Sequence, residues 1–350
     1  MKLKKFMALG LSTIMTAGML VGCSGNSENE GEASNGEKAF KVGMITDTGG
    51  VNDESFNQSA WAGLQNIEKE LGKEKVETSY LESTKDADYA PNIDTYVDQE
   101  MDLIIGVGFK LAPAVEKAAA AYPEQKFMII DGVCENGNPE NVTSMFFEDH
   151  VSSYLVGLIA GKMTETDKVG FIGGMESEAI EKFKWGYTAG AEEANENVEV
   201  QSQYANSFTD AAKGKSMAQT MHSNGVDIIF SAAGGVGIGS IEAAKENNKK
   251  AIGVDLDQNA LAPDNIISSA MKNIDVAVAN MVRNFVVDGE FKGGEIETHT
   301  LQSGGVGIAP TSDKNVPPDV LELVNEYIEK INAGEIVVPQ NEDEYKELNK

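Results

Sequence analysis

Ten short apolar runs between residues 41 and 272 constrain this chain more than any other feature of it. The first five are KVGMITD (41–47), VETSYLES (76–83), DLIIGVG (102–108), KFMIIDG (126–132) and VTSMFFE (142–148). The second five are KVGFIGG (168–174), VEVQSQYANSF (198–208), DIIFSAAG (227–234), KAIGVDLD (250–257) and NIISSAMK (265–272). Runs of this length bounded by glycine and polar residues read as buried strands. Between them lie stretches with apolar residues near i, i+3 and i+4, at 56–71, 111–122, 180–194 and 211–223, which read as helices. Strand alternating with helix predicts an α/β chain whose mostly parallel sheet is covered on both faces.

An internal echo divides the series. KVGMITD leads to a helix carrying WAGL, and KVGFIGG leads to a helix carrying WGYTAG; the two segments begin 127 residues apart. Two similar halves, each with its own sheet, are expected; a single large sheet is the other arrangement the pattern allows. On the two-lobed reading a first lobe spans 40–147 and a second 148–273, with hinge crossings near 146–150 and 268–276. Later elements, a helix at 274–288, a strand at 297–308 and a helix at 317–332, are expected to rejoin the first lobe over about 274–335. An acidic tail, 336–350, closes the chain.

The N-terminus sets the compartment. Lys2, Lys4 and Lys5 precede an apolar stretch of 16 residues, Phe6 to Val21, and then Gly22-Cys23. That is too short for a membrane-spanning helix, which needs about 20 residues. It fits a signal peptide over 1–22, and its end resembles a bacterial lipobox, in which Cys23 becomes the lipid-modified first residue and anchors the chain to a membrane, facing away from the cytoplasm. Residues 23–39 have no periodicity and almost no apolar side chains, so a flexible tether is expected. With Cys23 acylated, Cys134 has no partner and reads as a packed thiol. Removing the three signal lysines takes the formal charge from −28 to −31. Such a surface repels nucleic acid and anionic lipid.

In open α/β sheets, ligands bind beyond the carboxyl ends of the strands. That rule selects Asp47, Asp131, Phe208, the Gly234-Gly235 pair, Asp255 and Lys272, with Phe56 just after the first run. Carboxylates accept hydrogen bonds, so this group suits a neutral or cationic ligand rich in O–H and N–H donors and opposes a phosphate. Lys272 is expected to hold Asp255 ionised and to donate to a ligand oxygen. Glycine at 234 and 235 allows close backbone approach, and two aromatic faces could sandwich a flat ring.

The block Asp47, TGG, Asn52-Asp53-x-Ser55-Phe56-Asn57-Gln58-x-x-Trp61-x-Gly63 resembles the signature of the basic membrane protein family of lipoproteins, purine-nucleoside receptors of ABC transporters. The resemblance continues through MIIDGV, QYANSFTD, SAAGGVG, IGVDLDQ and SSAMKN. It implies a type I periplasmic-binding-protein fold with guanosine, inosine or adenosine held between two lobes, and ABC permease subunits as partners. Carried over by position, Phe56 and Phe208 would stack on the base, and Asp47, Asn57 and Asp131 would hydrogen-bond its edge. Gly234, Asp255 and Lys272 would hold the ribose. Phe183 and Trp185 are the other candidates for the second stacking residue. A monomer without cofactor or metal is expected.

Motifs of other chemistries break down on inspection. GGVGIG has Ser240 where a dinucleotide loop needs glycine, and KGKS has Thr209 where a phosphate loop needs one. His150, His222 and His299 stand isolated, so no metal site is expected. Without a G-x-S-x-G elbow or a nucleophile paired to a base, an enzyme is not expected. A sugar-binding protein and, further off, a nucleoside-cleaving enzyme are the alternatives.

Overall fold

The computed structural model describes residues 38–349. The signal segment 1–22, Cys23, the tether up to residue 37 and Lys350 lie outside the described residues. The first lobe opens with β1 (Phe40–Ile45), α1 (Phe56–Leu71), β2 (Val76–Leu81), α2 (Tyr89–Asp98), β3 (Leu103–Val107), α3 (Ala112–Ala121), β4 (Lys126–Ile130) and β5 (Val142–Phe147). The second holds α4 (Asp149–Met163), β6 (Lys168–Gly173), α5 (Glu178–Ala194), β7 (Glu199–Tyr204), α6 (Ala211–Ser223), β8 (Ile228–Ala232), α7 (Gly235–Glu246), β9 (Lys250–Asp255) and β10 (Ile266–Lys272). The last elements are α8 (Ile274–Arg283), β11 (Ile296–His299), β12 (Val306–Ile308), α9 (Pro318–Asn332) and α10 (Glu342–Leu348).

These strands form two sheets, in the orders β11-β5-β4-β3-β1-β2 and β12-β10-β9-β8-β6-β7. The orders correspond position by position, with β1 matching β6, so the repeated KVG segments occupy equivalent places. Every pairing is parallel except that of β10 with β12. Central strands such as LIIGV in β3 and IIFSA in β8 are buried along their whole length, as a sheet covered on both faces requires. Alternate residues serve different cores: Leu103, Ile105, Met128 and Ile130 face one cluster, while Ile104, Phe127 and Ile129 face another. The chain is thus two-lobed α/β, and the single-sheet arrangement does not occur.

α4 is absent from the sequence expectation because it has no polar face; residues 151–161 are buried without a break. An apolar helix without amphipathic period is a core helix. It meets α5 at glycine distance: a Cβ at Gly157 would lie 2.4 Å from the Tyr187 carbonyl, and one at Gly190 only 2.1 Å from that of Tyr154.

Two expectations need correction, and a third is extended. The single strand at 297–308 is two, β11 and β12, split by a turn in which the Gly305 N–H donates to the Thr300 carbonyl (2.8 Å) and Gly304 adopts φ +74°. Residues 274–335 do not all rejoin the first lobe. α8 packs on α1 and β11 extends the first sheet, but β12 pairs with β10 and α9 packs on α4. The acidic tail contains α10, capped by Asn341, which docks on the second lobe where Tyr345 lies 4.8 Å from Trp185 and donates to Glu192.

The chain therefore passes between lobes three times, at 147–149, 272–274 and 299–306, the last of which had no sequence counterpart. The crossings are tied to one another. Glu148 N–H donates to the His299 carbonyl (3.1 Å) and its carboxylate accepts from Leu301 N–H (2.9 Å). Asn273 donates through its backbone to Gly305 O (2.9 Å) and through its side chain to Gly304 O (2.7 Å). Lys272 Nζ reaches Asp149 (3.0 Å), closing a triangle.

Candidate ligand-binding cleft

All eight residues singled out from the sequence, Asp47, Phe56, Asn57, Asp131, Phe208, Gly234, Asp255 and Lys272, border one cavity of about 630 Å³ between the lobes, open in part to solvent. Corresponding strands of the two sheets supply much of the wall, and four residues at their carboxyl ends turn left-handed: Gly108 (φ +106°) and Asp131 (+57°) after β3 and β4, Gly234 (+53°) and Asp255 (+64°) after β8 and at the end of β9. Aspartate tolerates this region poorly compared with glycine, and backbone strain of this kind clusters at ligand clamps.

The opening segment is organised by Asp53. Its carboxylate accepts from the backbone N–H of Ser55 (3.0 Å), Asn57 (2.9 Å) and Gln58 (3.0 Å), capping α1, and from Asn57 Nδ2 (2.9 Å). Asn57 Nδ2 also donates to Asp47 Oδ1 (2.8 Å), which accepts from Gly49 N–H (2.8 Å) as well. Both N–H bonds of Asn57 are therefore occupied, and Asp47 keeps Oδ2 for another donor. Burial pushes the Asp47 carboxyl above its ordinary range, against the lowering effect of Gly49 and Asn57.

On the facing wall, Lys272 acts on Asp255 through charge rather than through a hydrogen bond. Its ammonium donates to Asp131 Oδ2 (2.5 Å) and Asp149 Oδ2 (3.0 Å) and lies 5.3, 5.0 and 5.6 Å from the ring centres of Phe56, Phe147 and Phe183. An ammonium has three donors, so one N–H remains. Burial opposes the charge, but Asp131, Asp149 and Asp255 outweigh it and hold Lys272 above the ordinary lysine range. Asp255 instead accepts from Ser55 Oγ of the opposite lobe; burial raises its carboxyl to about 6 despite Lys272. A second tie across the cleft runs from Gln258 Nε2 to the Glu54 carbonyl (2.8 Å).

Asp149, at the first turn of α4, went unnoticed in the sequence because nothing there distinguishes it from an ordinary helix-start acid. It is buried, and burial drives its carboxyl to about 7 against the pull of Lys272. Gly174 was likewise unremarked; a Cβ there would lie 2.1 Å from the Phe208 ring, so glycine makes the bed on which that ring rests. Among the alternatives for the second aromatic wall, Phe183 borders the cavity beside Phe208, whereas Trp185 stacks on Tyr345 and donates to Glu181 (2.6 Å). Cys134 is buried, and burial raises its thiol above the usual range, as a packed thiol requires.

Comparison with known proteins agrees with this architecture. A family model described as "ABC transporter substrate-binding protein PnrA-like" matches residues 40–342. A "CD4+ T-cell-stimulating antigen" of Listeria innocua is 40% identical over 96% of this chain and 99% of its own length. The "ABC transporter nucleoside-binding protein BmpA" of Lactococcus lactis is 36% identical over the same shares, 96% and 99%. Among solved structures, a solute-binding protein of an ABC transporter system from Aeropyrum pernix superposes with a TM-score of 0.79 at 30% identity, covering 88% of this chain and 96% of that one. By the extent of these matches, the chain belongs to the Bmp family of PnrA-like ABC transporter substrate-binding proteins.

Proposed function

We propose that this protein captures purine nucleosides between its lobes and presents them to a membrane permease, held at a membrane and facing away from the cytoplasm by lipid on Cys23. The observation that carries the reading is the composition of the cavity wall: aromatic rings at Phe56 and Phe208, free acceptors at Asp47 and Asp131, and Gly234, Asp255 and Lys272 on the other side. Base stacking on aromatic rings contributes about 1–3 kcal/mol per base. Asp47 and Asp131 accept from base N–H groups, and Asp255 and the remaining N–H of Lys272 engage the ribose hydroxyls. Asn57, with both its N–H bonds committed to Asp47 and Asp53, acts through Asp47 rather than on the base itself. Binding energy favours closure of the lobes about their crossings, and the closed form is what the permease recognises. The nucleoside-binding relative from Lactococcus lactis supports the ligand class.

Thermal-shift titration with guanosine, inosine, adenosine, ribose, hypoxanthine and guanosine monophosphate tests this. At a thousand times Kd a ligand stabilises by about 4 kcal/mol. Nucleosides should raise Tm clearly, ribose and hypoxanthine little, and the phosphate ester not at all. A protein that responds to no nucleoside, or as strongly to ribose, overturns the reading.

A further inference from the structure

The cleft does not end at the nucleoside cavity. A second hollow of about 280 Å³, open in part to solvent, adjoins it and shares Phe109, Asp131 and Ala179 as a common border. Beyond that border its walls are Ala112, Val133 and Phe146 of the first lobe and Lys182 of α5, whose Nζ lies 5.4 Å over the Phe146 ring. None of the residues assigned to the sugar, Gly234, Asp255 and Lys272, touches it. Of the residues assigned to the base, Asp131 borders it, so the hollow adjoins the cavity where Asp131 would meet the base edge. Val133 is 38% exposed, so the far end meets solvent and sets no limit on length.

Its charge balance restricts what can enter. Asp131, Asp149 and Glu178 border it against Lys182, and the first two are already bonded to Lys272. A carboxylate or phosphate on the incoming group would meet net negative charge, while apolar or aromatic surface finds Phe109, Phe146 and the methyl groups of Ala112 and Val133.

We propose that this cleft accepts purine nucleosides carrying an uncharged apolar or aromatic substituent on the exocyclic nitrogen of the base, with the substituent lodged in the second hollow. The inference rests on the nucleoside reading above. It makes the protein a receptor for base-modified nucleosides as well as for plain ones, because a site that closed against the base edge would reject them.

Titration calorimetry with two pairs, adenosine against N6-benzyladenosine and guanosine against N2-benzylguanosine, tests it in the intact protein and in Val133→Trp. This substitution fills the hollow from a half-exposed position, with Tm as the check on folding. At least one benzyl compound is expected to bind within tenfold of its parent, and Val133→Trp to weaken that compound at least tenfold while changing the parent less than twofold. Loss of more than tenfold for both benzyl compounds in the unaltered protein, or a Val133→Trp effect that falls short of this separation, overturns the proposal. If neither adenosine nor guanosine binds, it is the nucleoside reading that fails.

Discussion

Replacing Lys272 by Met tests the electrostatics of the cleft most directly. The ammonium is buried, with Asp131 and Asp149 bonded to it and Asp255 near enough to affect its charge. Methionine preserves most of the volume and removes the charge, leaving buried carboxylates without a counter-ion. Breaking a buried pair in this way costs about 3–5 kcal/mol, a large part of a total stability of about 5–15 kcal/mol. The loss should depend on pH. Lys272 has its pKa raised, so it stays protonated throughout pH 5 to 8, far below even the unfolded-state value of about 10.4, and the pH dependence over that range comes from its carboxyl partners. Asp149 and Asp255 also have raised values, about 7 and about 6. Raised acids bind protons more tightly in the folded state, so their contribution is greatest at low pH and is lost as pH rises through 6 and 7. Without the ammonium their values climb further, and the slope steepens. Urea unfolding at pH 8 should therefore show a deficit of about 3–5 kcal/mol that shrinks markedly at pH 5, where Asp149 and Asp255 are largely protonated. A deficit below about 1 kcal/mol at pH 8, or an equal one at both values, would refute the assignment of Lys272 as the counter-ion of this acid cluster.

Other consequences are equally concrete. Phe208→Ala should weaken nucleoside binding by about 1–3 kcal/mol, read by calorimetry, while Tm moves little because the ring lies at the cavity wall. Gly190→Ala should drive a methyl group into the Tyr154 carbonyl and lower stability by about 1–3 kcal/mol, seen in thermal melts without a matching change in ligand affinity for the folded protein. Asp53→Ala should cost about 1 kcal/mol through loss of the α1 cap and also weaken binding, since Asn57 loses the partner that orients it towards Asp47. Cys23→Ser should move the expressed protein from the membrane fraction to the soluble one, and fractionation with immunoblotting checks it.

Much of this was legible in the sequence because parallel sheets bury whole strands. Runs such as LIIGV and IIFSA announce themselves by length and apolar content, and their carboxyl ends locate the cleft by topology alone. What escaped has particular physical causes. α4 lacks a polar face and so lacks period. The β11–β12 break depends on a turn around Gly304 whose strands join different sheets, and local sequence holds no record of which sheet a strand will join. Asp149 reaches Lys272 only because the crossings converge, a fact of tertiary geometry. Trp185 resembled a wall of the cleft until α10 proved to cover it.

The tied crossings carry one more implication. Three connections bonded in a ring leave the halves little freedom to slide or twist, while rotation about a shared axis remains cheap. Motion of that sort would work like a caliper, its jaws stopping wherever a bound molecule stopped them, so that the final angle would report ligand thickness. A permease that senses only that angle would need no contact with the cargo to tell a well-fitting molecule from a poor one.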